Sequence, residues 1–251
     1  MKQKLTNKVW KFERTFKSEL IISILLMFLI SSCLFFYFVV KSTGLDGREP
    51  IDSNKIFLED TTFLSEWYAV FVLIFCGIKI TKMLSTKKIY IYDYTEHTFT
   101  AWSLIIFLLY SIGIFIGKTL ITDKSFVAFY RAGSIHIIVP LIWLTYYFVC
   151  PFKDQKSKKQ VWLGTLQTVV ILSAYLLWIG IRLIPSVAEP DFAFPYPFLS
   201  PQKVGLTIYI IANFLIIIAF SLVYVGMYYL NSLNFKRFAN YSDNKTMRKY
   251  Y

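Results

Sequence analysis

Long apolar runs without Asp, Glu, Lys or Arg alternate with short polar segments along this chain of 251 residues. An uncharged run of about 20 residues is long enough to cross a bilayer as a helix. Five such runs are clear: Leu20–Val40, Thr98–Gly117, Ala132–Phe152, Val161–Ile181 and Val204–Phe235. The pattern predicts an all-α, polytopic integral membrane protein.

A sixth span is weaker, because only Trp67–Ile78 is free of charge between Glu66 and Lys79. The segment can cross if it runs from about Thr61 to about Ile80. The amine of Lys79 would then extend to the membrane surface, and Glu66 would lie at membrane depth. With this segment, second in chain order, we predict six transmembrane helices and both termini on the same side.

The net charge of +12 is distributed unevenly between the polar segments. Of the 27 Lys and Arg residues, 19 lie in the two tails and in the second and fourth loops. Because basic loops stay on the cytoplasmic side, this bias places both termini in the cytoplasm of a plasma-membrane protein. It also explains the charge without a nucleic-acid partner. We divide the chain into a basic lead-in anchored at the membrane interface (1–18), a six-span domain (19–232) and a basic tail (233–251).

Smaller features complete the organisation. The alternating stretch within Ser85–Thr98 is compatible with a short strand or an interfacial ribbon. The last outer loop, Pro185–Pro201, contains five prolines and cannot be helical for long.

Cys33, Cys76 and Cys150 lie in or at the end of spans, which favours free thiols over disulfides. No Cys-x-x-Cys or His-Glu-x-x-His motif occurs, so we expect neither a metal nor a cofactor.

The fourth span, Ala132–Phe152, carries His136 and has Arg131 at its edge. A histidine inside a membrane helix marks a candidate functional site. Entered from outside at Arg131, the span places His136 roughly 8 Å deep at 1.5 Å per residue. The second span, entered at Thr61, places Glu66 at a similar depth by the same arithmetic. The two groups are therefore expected to meet near the outer surface.

Local spacing strengthens this expectation. Thr62, Ser65 and Glu66 are spaced i, i+3, i+4 and share one helical face. Pro140 has no N–H, so the carbonyl of His136 loses its helical donor and a kink is predicted there. A free carbonyl at membrane depth needs a polar surrounding. We therefore expect a small polar pocket that opens outward.

These side chains suggest nucleophilic catalysis. A threonine or serine hydroxyl would attack, neutral His136 would be the base, and Glu66 would orient the ring. The hydroxyl could belong to Thr61, Thr62 or Ser65. The candidate substrate-binding residues are Arg131, Trp143, Tyr196 and Phe198. The expected partners are membrane lipids and a lipid-like substrate, and the oligomeric state stays open.

A purely structural interpretation uses the same residues. His136 could hydrogen-bond a neighbouring helix, Thr62 could cap the helix that follows it, and Glu66 could form an ion pair with Arg131.

Two further functions stay open. One is a non-enzymatic binding or transport module for a small anionic or lipid ligand, which would use Arg131, Arg182 and the aromatic side chains of the last outer loop. The structural alternative for Arg182 is a side chain that extends to the membrane surface, like Lys79. The other is a scaffold for membrane partners, indicated by Gly113-x-x-x-Gly117.

Several short motifs resemble a known family. His136–Leu141 (HIIVPL) and Tyr196–Leu199 (YPFL) are similar to the best-marked segments of the androgen-induced protein and androgen-dependent TFPI-regulating protein family. The order also matches, with Thr62–Leu64 opening the second span and Gly205 entering the sixth. In topology, the resemblance covers nearly the whole chain.

That resemblance implies a six-helix membrane hydrolase, and the chain would be a bacterial relative. Animal members hydrolyse fatty acid esters of hydroxy fatty acids with a threonine on the second helix and a histidine on the fourth. Carried over, these roles fall on Thr62 and His136.

Overall fold

The computed structural model describes residues 14–91, 93–115, 125–152, 157–182 and 201–241. Over these residues the chain is helical, with turns between the helices and no strand. The helices are α1 (Phe16–Thr43), α2 (Ser53–Asp60), α3 (Leu64–Thr86), α4 (Asp93–Phe115), α5 (Phe126–Gly133), α6 (Val139–Val149), α7 (Lys158–Ile181), α8 (Pro201–Val204) and α9 (Leu206–Tyr241). A π-helical turn, Ser134–Ile138, joins α5 to α6 in one continuous helix.

Within the described part of the chain, five helices are long and apolar enough to cross a membrane, which indicates a membrane protein. They are α1, α3, the continuous helix Phe126–Val149, α7 and Leu206–Lys236 of α9. The weak second span is thus among them. The predicted span Thr98–Gly117 falls largely on α4, but its last residues lie outside the described part of the chain. Six spans and the sidedness of the termini stay predictions.

The helices pack around α4, which contacts α6, α7 and α9, while α1 packs along α3. The largest fully buried side chain is Trp102 of α4. Large apolar side chains elsewhere point outward, including Phe28 and Phe35 of α1 and Leu222 of α9. Such apolar exteriors suit a lipid surrounding rather than water.

One residue of the predicted interfacial lead-in, Arg14, lies inside the bundle. α1 begins at Phe16 because the Thr15 hydroxyl accepts from the N–H of Ser18, and Ser18 reciprocates in a capping box. Arg14, directly before this cap, is 8% exposed and reaches into the bundle. It is therefore a buried residue and not an interfacial anchor.

The proposed strand or ribbon before α4 was also wrong. α4 begins at Asp93, so Glu96 and His97 belong to the helix and are buried. Both side chains have polar partners inside the bundle: Glu96 contacts Arg14, and His97 bonds the Tyr147 hydroxyl. Alternation along the sequence did not reveal these partners.

The fourth predicted span begins earlier than expected. Ser125 caps α5 by accepting from the N–H of Ala128, so Arg131 lies inside the helix and not at its edge. The proline is accommodated without a break: the N–H of Val139 bonds the carbonyl of Ser134, five residues back. This π-helical turn lets the helix continue past Pro140, which has no N–H to donate.

The three cysteines are free and buried, as predicted. Several predictions fall outside the described residues. They concern Tyr196, Phe198, Gly117, most of the loop Pro185–Pro201, residues 1–13 of the lead-in and residues 242–251 of the tail.

Candidate functional site

Three charged side chains, Asp60, Glu66 and Arg131, form a cluster at the end of the bundle that the charge bias predicts to face outward. We call it the outer ionic cluster. Nη2 of Arg131 lies 2.7 Å from Oδ1 of Asp60 and 2.9 Å from Oε1 of Glu66. The guanidinium also stacks 4.0 Å from the ring centroid of Tyr37. The ion pair of Glu66 with Arg131, expected as a structural alternative, is confirmed. An arginine already faced by two carboxylates is poorly suited to hold a further anion.

The raised pKa of Asp60 makes the stability of the folded protein depend on pH. Burial is the main cause that raises the pKa of Asp60 to about 6, and the nearby Arg131 only partly offsets it. Since the unfolded value is about 3.9, the native state binds this proton more tightly. The resulting stabilisation is complete below about pH 4 and is lost as the pH rises through about 6.

We expect the free energy of unfolding to fall by about 2 kcal/mol between about pH 4 and 7 because of this group. The measurement is thermal unfolding in detergent across that range. Asp60→Asn should flatten the decline by that amount, and equal slopes in both proteins would contradict the assignment.

The chain turns sharply between α2 and α3 at an outer corner, defined as Leu58–Phe63. Within it, the Thr61 hydroxyl donates to the carbonyl of Leu58 at 3.0 Å, and the Thr62 hydroxyl donates to that of Glu59 at 2.6 Å. The N-cap of α3 is Phe63, without a side-chain bond, so a capping role for Thr62 was wrong. The hydroxyl instead bonds backward because the backbone turns at this point.

Ser65 lies on the first turn of α3 beside Glu66. It is 3% exposed, and its Oγ has no hydrogen-bond partner among the described residues. The same holds for Oε2 of Glu66 and for the hydroxyl of Ser134 on the π-helical turn. Buried polar atoms usually have a partner, so these three are available to a ligand or a water molecule, although similar atoms occur elsewhere in the bundle, such as Nε1 of Trp102.

His136 sits on the π-helical turn and is half-buried. Its Nδ1 lies 2.9 Å from the carbonyl of Ala132, so Nδ1–H donates and Nε2 is the accepting nitrogen. The ring stacks on Tyr110 with centroids 4.4 Å apart and planes 20° apart. The backbone carbonyl therefore fixes the tautomer, and Glu66 does not orient the ring as predicted.

The structure groups most of the predicted site residues. The π-helical turn packs against α3, which places His136 at the same end as Thr62 and Ser65. In this geometry the Thr62 hydroxyl and the His136 ring, both described, share no hydrogen bond. Trp143 does not belong to the group, because its indole N–H donates to the Thr100 hydroxyl at 2.8 Å, two turns beyond His136.

Sequence reasoning missed a second cluster, which consists of Arg14, Glu19, Lys79 and Glu96. We call it the inner ionic cluster, because it lies toward the end of the bundle that is predicted to face the cytoplasm. Glu96 contacts Nη1 of Arg14 at 2.7 Å and Nζ of Lys79 at 2.5 Å. Glu19 contacts the same two cations at 2.9 and 2.5 Å. Lys79 is 4% exposed, so its predicted extension to the surface was wrong. Two carboxylates outweigh the benefit of hydration because they satisfy the buried amine directly.

A cavity of about 10 Å³ borders this cluster, lined also by Ser23, Trp143 and Tyr146. That is room for about one water molecule and not for a lipid. The available signal was weak: Glu19 and Glu96 each lie next to a charge-free run, and the lengths of these runs do not show that the two residues meet. Trp143 thus lies by the inner cavity and not at the outer end.

Comparisons with known proteins leave the family open: no family model, curated protein or solved structure matches this chain.

Proposed function

We propose that the protein is a membrane hydrolase of lipid-like esters, with its site at the outer end of the bundle. One observation carries the proposal: Nδ1–H of His136 is held by the carbonyl of Ala132, which leaves Nε2 as the acceptor. A neutral imidazole whose Nδ1–H is hydrogen-bonded can accept a proton on Nε2 at neutral pH. Hydroxyl groups in the outer corner and on the first turn of α3 supply the candidate nucleophiles.

The reaction would proceed in two steps. Oγ1 of Thr62 attacks the acyl carbon while its proton passes to Nε2 of His136, and the ester C–O bond breaks as Nε2 returns that proton to the departing alcohol. Water then attacks the acyl-threonine with the same nitrogen as base. This releases the fatty acid and restores the hydroxyl. Thr62 must first release the carbonyl of Glu59, whereas Ser65 has no such bond to break.

The site is proposed to face the outside of the plasma membrane, with six spans and both termini in the cytoplasm. The positive-inside bias supports this orientation, since 19 of the 27 Lys and Arg residues fall in segments that the sequence predicts on the other side of the membrane. A membrane-impermeant reagent should then reach an introduced cysteine at the outer corner from the outside only.

The test is turnover of a fluorescent long-chain ester by purified protein in detergent. We expect His136→Gln to lower kcat/KM at least about 100-fold, because a general acid–base group contributes that much or more. The other histidine, His97, lies in the inner half, and a folded His97→Gln variant should retain turnover. Undiminished turnover by His136→Gln would refute the proposal.

A fluorophosphonate probe identifies the nucleophile independently. We propose labelling at Thr62, lost in Thr62→Ala and slowed in wild-type protein while excess ester is present. Labelling that persists in Thr62→Ala and disappears in Ser65→Ala would transfer the role to Ser65.

A further inference from the structure

The outer corner is held in place from a helix that supplies none of the proposed catalytic groups. Tyr175 of α7 is 1% exposed, and its hydroxyl donates to the carbonyl of Thr62 at 2.8 Å. At the C-terminal end of α7, Arg182 donates to the carbonyl of Leu58. Arg182 is 3% exposed, so its predicted position at the membrane surface was wrong. Two donors from α7 thus bind both sides of the corner.

The first turn of α3 adds a third donor. The indole N–H of Trp67 bonds the carbonyl of Thr61 at 3.0 Å, and its ring meets Tyr175 edge-on with centroids 5.8 Å apart. Corner carbonyls must find partners outside a regular helix, and here they find side chains. The carbonyls of Leu58, Thr61 and Thr62 are therefore each bound by a side chain; those of Arg182 and Tyr175 are buried, and that of Trp67 is half-buried.

We propose that Tyr175 is a positioning residue that holds the backbone of Thr62 in place within the outer corner. The argument is geometric: the bonded carbonyl and the hydroxyl belong to the same residue, so fixing the carbonyl limits the movement of the backbone from which the hydroxyl extends. A displacement of about 1 Å at a reacting group can cost about 100-fold in rate. The effect on reaction rate rests on the proposed hydrolase function. The claim that Tyr175 holds the outer corner does not depend on that function.

Tyr224 offers a matched control. It is also fully buried, and its hydroxyl also donates to a backbone carbonyl, that of Gln160 at 3.1 Å near the start of α7. Tyr175→Phe and Tyr224→Phe therefore remove the same chemical bond at opposite ends of the bundle. A merely structural loss would affect both variants alike.

The first measurement needs no enzymatic activity. Thr62→Cys, in otherwise full-length protein, is labelled with a water-soluble maleimide, and the rate is compared with and without Tyr175→Phe. We expect labelling to rise about tenfold or more, as the loss of one buried hydrogen bond allows. Tyr224→Phe should leave the rate unchanged. Variants without Thr62→Cys give the blank, since Cys33, Cys76 and Cys150 are buried.

The second measurement is the kinetics of ester turnover. Tyr175→Phe should lower kcat about tenfold at unchanged KM, since only the alignment of the nucleophile is lost. Tyr224→Phe should preserve both constants. Equal labelling rates in Tyr175→Phe and the parent would overturn the positioning role even if turnover is normal. Absence of turnover in wild-type protein would overturn the hydrolase proposal alone, and the labelling result would still decide this one.

Discussion

Glu96→Gln is expected to destabilise the protein by about 3–5 kcal/mol, the cost of removing one partner from a buried ion pair. Glu96 is 3% exposed and contacts both cations of the inner ionic cluster. Its replacement by a neutral amide of the same shape leaves Arg14 and Lys79 to share the single carboxylate of Glu19. The uncompensated positive charge, rather than lost packing, is the source of the effect.

The measurement is the free energy of unfolding in detergent, followed by circular dichroism. Glu49→Gln, at an exposed position, makes the same chemical change and should alter stability by less than about 0.5 kcal/mol. Adding Lys79→Met to Glu96→Gln should recover part of the loss, because Arg14 and Glu19 then pair one to one. A loss below about 1 kcal/mol in the single variant would show that the cluster is hydrated and not buried.

Gly164→Ala is expected to cost about 3 kcal/mol, at the upper end for an overpacked core. A Cβ at Gly164 would lie 2.0 Å from the hydroxyl oxygen of Tyr224 and 2.1 Å from its Cζ. The ring cannot move aside easily, since Tyr224 is fully buried and bonds the carbonyl of Gln160. The extra methyl group must therefore separate α7 from α9.

Gly77 and Gly226 provide matched controls, because a Cβ at either meets nothing within 4 Å. Alanine there should be neutral or raise stability by up to about 1 kcal/mol through its better helix propensity. Combining Gly164→Ala with Tyr224→Leu should recover stability relative to Gly164→Ala alone. If all three glycine variants unfold at the same temperature, α7 and α9 do not pack as described.

The resemblance stated from His136–Leu141 and Tyr196–Leu199 stays a prediction. The structure describes the first segment, where it places a π-helical turn before Pro140. The sequence correctly predicted that the helix is irregular near the proline. It did not indicate that one extra residue in the turn, rather than a break, would absorb the missing donor. That choice depends on how the helix packs on both sides of the proline.

Apolar run length by itself determined that this is a helical protein with several helices able to cross a membrane. Hydropathy is a local property, and a bilayer of fixed thickness converts it directly into helix length. The free state of the three cysteines followed from the same local context.

Only the tertiary structure decided which charges are paired. Arg14 and Glu96 are 82 positions apart, and Arg182 lies 124 positions from the Leu58 carbonyl that it binds. In a single sequence, Lys79 next to an apolar run resembles a lysine that reaches the surface, because its acidic partners lie on other helices. The energy that holds such a charge inside comes from contacts between helices, and those exist only once the bundle has assembled.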